Sequence, residues 1–83
     1  MPTVLRFDGL RAVIYLNDHR PAHVHVTGGG NAAVVDLHCP DGPPRVRESY
    51  GFGPRDLRRI KAVLASRLVD LCGKWEEIHG YAE

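Results

Sequence analysis

The run His23-Val24-His25-Val26, followed beyond Gly28-Gly29-Gly30-Asn31 by Ala33-Val34-Val35-Asp36-Leu37, constrains the fold more than any other feature of the chain. Alternating polar and apolar side chains suit a strand with one buried face. The glycine-rich tetrapeptide can take the left-handed backbone conformations that reverse a chain. Centring the reversal on Gly29-Gly30 pairs Val24 with Val35 and Val26 with Ala33 on the core face. It leaves His25 opposite Val34 and His23 opposite Asp36 on the outer face. A slip of one residue would bury the imidazoles and expose the valines, so the register is well determined. His38 then falls diagonal to His23 on the outer face.

A second hairpin precedes it. Residues 3–7 and 10–16 are β-suitable runs around Asp8-Gly9, a pair that readily takes the positive φ angles of a type I′ turn. Closure there pairs Phe7 with Leu10, Leu5 with Ala12 and Thr3 with Ile14 on the core face. Arg6 meets Arg11 and Val4 meets Val13 on the other, with Tyr15 following on that face. Asn17-Asp18-His19-Arg20-Pro21 ends the second strand near Leu16, since turn-forming side chains and a proline cannot continue a ladder. Residues 39–53 hold three prolines and three glycines and are expected to be mostly irregular, with a short extended piece at Val46. From Pro54, residues Leu57, Ile60, Leu64, Leu68, Leu71, Trp75 and Ile78 recur at spacings of three and four. They predict one long amphipathic helix to about His79, with Gly80 as its cap. The expected fold is α+β: an antiparallel four-stranded meander packed on one face by a single long C-terminal helix, in one domain over residues 1–83. Two sheet edges remain to be protected, which favours a homodimer.

Composition narrows the function classes. There is no apolar stretch of about 18 residues and no signal-peptide pattern, so no membrane partner and a cytoplasmic location are expected. In a reducing compartment, Cys39 and Cys72 read as two small buried apolar side chains rather than a disulfide. A net charge of +1 argues against a strong polyanion binder. The charge is uneven, however: residues 45–67 carry seven basic groups against two acidic ones. Such a segment either meets an anion or is simply a solvated face.

His19, His23 and His25 lie within seven residues, and no other stretch concentrates side chains able to move protons or hold metal. With Arg6, Arg11 and Tyr15 on the same outer face and Arg58 at the basic start of the helix, the parts suit RNA. Guanidinium groups take phosphate, a ring stacks on a base and imidazoles transfer protons. In a metal-independent ribonuclease, which would need no cofactor, His23 and His25 would act as base and acid, with Asp36 orienting His23. The alternative is a metal-binding or partner-binding adaptor without catalysis. There His19, His23 and His25 would hold zinc or another divalent transition metal, with Asp36 and His38 able to add ligands. A third possibility is that the histidines are only the polar side of a half-exposed strand. Ser49 has no strand-turn-helix elbow around it, so nucleophilic triad chemistry has little support.

Pro2-Thr3-Val4-Leu5-Arg6-Phe7, then Asn17-Asp18-His19-Arg20-Pro21-Ala22-His23-Val24-His25-Val26, then Ser49-Tyr50-Gly51-Phe52 leading into Arg55-Asp56-Leu57-Arg58-Arg59-Ile60, resemble the bacterial domain-of-unknown-function 4160 family over nearly the whole chain. Ala22 stands where the family motif usually has a second proline, while His19, His23 and His25 match it. The resemblance implies a small single-domain protein of a toxin-antitoxin-like module, with a neighbouring-gene protein as partner. It assigns no role to the histidines.

Overall fold

A computed structural model of the chain describes residues 3–80. Pro2, which contributes to the family resemblance, and both ends of the 1–83 domain lie outside them. The elements run β1 (Thr3–Phe7), β2 (Leu10–Val13), β3 (His23–Gly28), β4 (Asn31–Asp36), β5 (Arg45–Tyr50), α1 (Pro54–Ser66) and α2 (Leu68–His79). The strands form one antiparallel sheet in the order β1-β2-β3-β4-β5.

Both hairpins close where their turn residues allow. Asp8 and Gly9 take φ of 50° and 77°, and Gly29 and Gly30 take 58° and 82°. The β3–β4 register follows the valine alternation, with Val24 opposite Val35, Val26 opposite Ala33 and His23 opposite Asp36. In the first hairpin Leu5 meets Ala12 and Arg6 meets Arg11 as expected. A bulge then shifts the pairing, so Thr3 meets Val13 rather than Ile14. β2 also stops at Val13, three residues short of Leu16, because the turn that follows already begins at Tyr15.

The sheet has five strands, not four. The prolines at 40, 43 and 44 bound residues 45–50 rather than interrupting them, so Arg45–Tyr50 can pair with β4 on either side of one register shift. The helix is likewise two helices rather than one. Arg67 leaves helical geometry at φ −117°, ψ 19°, and its N–H bonds back to Leu64 O at 3.2 Å. Next to the break the Ser66 hydroxyl donates to Val63 O at 2.7 Å, a local bond that competes with the helical ladder. The apolar stripe continues across the break, which is why periodicity alone reads it as continuous.

Cys39 and Cys72 form a disulfide with Cα atoms 5.9 Å apart, correcting the expectation of two free thiols. Spacing in sequence carries no information about their approach. The bridge fastens the segment after β4 to the middle of α2. One face of the sheet, with Ala12, Ile14, Val24, Val26, Ala33, Val35 and Leu37, packs against Ile60, Leu64, Leu68, Leu71, Cys72 and Trp75. Burying that many aliphatic and aromatic side chains, at about 1.5–3 kcal/mol each, is the main force holding helices to sheet. No helix among the described residues is long and apolar enough to cross a membrane.

Candidate functional site

The site sits at the end of the sheet where β3 begins, and a tight turn builds it. Asp18 N–H donates to Tyr15 O at 3.1 Å, and Tyr15 N–H donates back to Asp18 Oδ2 at 2.9 Å. One carboxylate oxygen is thereby spent on fixing the turn. The other, Oδ1, faces both imidazoles: His25 Nε2 lies 3.1 Å away and His23 Nε2 3.5 Å away. The two rings project together because they are two residues apart on one strand.

The tautomer of His23 is set from behind. Its Nδ1 lies 2.8 Å from Pro21 O, and a carbonyl can only accept, so Nδ1 carries the proton. In the neutral ring Nε2 then presents a lone pair to the Asp18 carboxylate. His23 is 5% exposed, against the outward, solvent-facing position expected of it. Trp75 covers it with a ring-centroid distance of 5.3 Å, while Tyr15 packs edge-on against His25 at 4.7 Å. His79, stacked 4.4 Å from Trp75, donates Nε2–H to Tyr15 O at 3.0 Å, so α2 anchors the same turn. Trp75 Nε1 is buried with no hydrogen-bond partner among the described residues. Burial of the Asp18 carboxyl pushes its pKa up. The Tyr15 N–H, the His25 hydrogen bond and the charges of both imidazoles outweigh that, and the net shift is downward.

Asp18, His23 and His25 therefore place three ligand-type atoms within 4.8 Å of one another. Two ligand atoms each about 2.1 Å from a tetrahedral zinc stand roughly 3.4 Å apart. The Asp18–His23 and Asp18–His25 separations are close to this, while the three atoms together spread over up to 4.8 Å. A histidine whose second nitrogen donates to a backbone carbonyl is also the usual outer-shell arrangement of a metal ligand. Acid–base catalysis on RNA fits less well, because the two nitrogens of the nearly buried His23 already face Pro21 and Asp18.

The remaining site residues of the sequence reading are distributed as follows. His19 is exposed and lines the cleft beside the cluster, outside the ligand group. Asp36 stands opposite His23 as expected, but its carboxylate is bound by Arg47 rather than by an imidazole. His38 is not on a strand: β4 ends at Asp36, and His38 takes φ 53° with Nδ1 2.8 Å from Pro43 O. Arg6 and Arg11 are exposed and directly opposed, away from the cluster's hydrogen-bond network, and Arg58 is exposed on α1. Asp18 and Arg47 were missed. The aspartate was visible inside the run that ends β2 but reads there as a turn former. Only the fold shows that its second oxygen points at β3.

No curated protein and no solved structure matches the chain. The model of the family described as domain of unknown function DUF4160 matches residues 9–76. That span includes every residue of the Asp18–His23–His25 cluster and most of the core, and the chain belongs to the DUF4160 family.

Proposed function

We propose that the chain is a metal-binding protein whose Asp18, His23 and His25 hold zinc or another divalent transition metal. The observation that supports it is the pair of contacts made by His23. With Nδ1–H committed to Pro21 O, its Nε2 lone pair faces a carboxylate oxygen 3.5 Å away. Two electron-rich groups held face to face in a nearly buried pocket call for a cation between them or a second proton on the ring. Tautomer, spacing and mixed nitrogen–oxygen ligand set all suit a divalent transition metal. With three protein ligands, one or more coordination positions stay open toward the cleft. The test is elemental analysis and zinc titration of the full chain purified without a histidine tag, beside His23→Ala. Stoichiometric zinc lost in the variant supports the reading; a protein indifferent to zinc, cobalt and manganese overturns it.

A second reading rests on Arg6 and Arg11, two exposed guanidinium groups directly opposed across β1 and β2. Like charges so placed repel, by a few tenths of a kcal/mol, and a bound phosphate relieves this. In this reading the chain is the RNA-engaging member of a toxin-antitoxin-like module and pairs with a small protein encoded beside it. Salt-sensitive RNA binding that weakens in Arg6→Ala and Arg11→Ala is the expected result. No RNA binding at low salt ends the reading.

A further inference from the structure

Beside the histidine cluster, Arg47 occupies a position that strand alternation does not give it. Val34 pairs with Glu48 but Val35 pairs with Val46, so Arg47 is the extra residue of a β-bulge in β5. Bulges re-aim a side chain, and they recur next to functional sites. Here the guanidinium reaches Asp36, whose backbone lies directly across from His23. Arg47 and Asp36 line one cleft together with Asp18, His23 and His19. The ion pair uses one amino group of Arg47 and one oxygen of Asp36, and Arg47 is partly exposed, which leaves further N–H donors of the fork for a ligand.

We propose that this cleft binds a phosphoryl group, one oxygen on the metal held by Asp18, His23 and His25 and another on the Arg47 guanidinium. The inference rests on the metal reading above and adds the class of ligand that fills the open side. Without a metal, the Asp18 and Asp36 carboxylates offset the Arg20 and Arg47 guanidinium groups that line the same cleft, and no net positive charge draws an oxyanion in. A divalent ion together with Arg47 outweighs both carboxylates and makes the site attractive to an anion. Guanidinium matches phosphate oxygens in a planar, forked geometry, and a metal ion beside it is the usual second anchor of a phosphoryl group. Asp36 holds Arg47 in place but also competes with the ligand for its donors.

The experiment uses the full chain loaded with cobalt(II), whose visible bands report its coordination, titrated with inorganic phosphate. Phosphate should change the bands saturably. Arg47→Gln should leave cobalt affinity intact and weaken phosphate about tenfold or more, the loss of one charge-assisted bond. Cobalt binding with bands indifferent to phosphate, or equal phosphate affinity in Arg47→Gln and the parent chain, overturns this inference and leaves the metal reading standing. Failure to bind cobalt or any other divalent transition metal ends both.

Discussion

His23 and Asp18 face each other across 3.5 Å, Nε2 to Oδ1, while the opposite nitrogen of the same ring is tied to Pro21 O at 2.8 Å. The histidine is thus locked in rotation and tautomer by its own approach loop, and the aspartate by the Tyr15 turn. Both already face the place a cation would take, although the three ligand atoms, spread over up to 4.8 Å, must draw together to bind one ion at about 2.1 Å each. Preorganisation of this kind lowers the entropy cost of binding.

Metal should therefore stabilise the fold as well as occupy it. An ion that binds only the folded chain contributes about 2.7 kcal/mol at a hundredfold excess over its Kd. For a domain of this size that corresponds to a rise in Tm of roughly 10–20 °C. Thermal unfolding with and without zinc measures it. His23→Ala and Asp18→Asn should each abolish the rise, and His19→Ala should leave it within about 2 °C, since His19 stands outside the ligand group. A rise that survives in Asp18→Asn would exclude the carboxylate as a ligand.

Acid acts on the same carboxylate in a definite direction. The folded pKa of Asp18 lies below the ordinary 3.8, because the Tyr15 N–H and the two imidazoles outweigh the cost of burial. A depressed folded pKa means that the carboxylate stabilises the fold at pH values above 3.8. That contribution fades as pH falls from there through the lower folded value. Urea unfolding of the metal-free parent chain and of Asp18→Asn should differ at about pH 5 and converge as pH falls below about 4. A gap that widens as pH falls below about 4 would reverse the sign and rule out this account.

Much of the sheet was legible because alternation and turn chemistry are local. Asp8-Gly9 and Gly29-Gly30 fix two hairpins, and the valines of β3 and β4 leave one register. β5 was hidden because three nearby prolines outweighed a six-residue strand in any local reading. The helix break at Arg67 disturbs no apolar spacing, and the Cys39–Cys72 contact depends on how α2 crosses the sheet. The candidate site divides the same way. His23 and His25 share a face by strand geometry, whereas Asp18 joins them only because the Tyr15 turn folds back over β3. His23 is nearly buried rather than solvent-facing because Trp75 closes over it, which no local rule foretells.

The disulfide offers a separate measurement. Cys39 and Cys72 are 33 residues apart, and closing a loop of that length in the unfolded chain is worth roughly 3–4 kcal/mol on a chain-entropy model. The urea midpoint should fall on reduction, and Cys39→Ala with Cys72→Ala together should reproduce the reduced value. Because α2 carries Trp75 and His79 over the cluster, reduction should also weaken zinc binding. Equal midpoints in oxidised and reduced chain would show that the bridge constrains nothing.

Two glycines should respond to alanine with opposite signs, although an added Cβ meets nothing within 4 Å at either. Gly9 sits at φ 77° in the first hairpin, where an L side chain crowds its own carbonyl, so Gly9→Ala should cost about 1–2 kcal/mol. Gly73 lies inside α2 with ordinary helical geometry, and there alanine removes backbone freedom from the unfolded chain. Gly73→Ala should stabilise by up to about 1 kcal/mol. Steric contact is absent from both sites, so the difference isolates backbone conformation, and chemical denaturation of the two variants reads it directly. Destabilisation by Gly73→Ala would mean that α2 needs flexibility there, against the regular helix seen from Leu68 to His79.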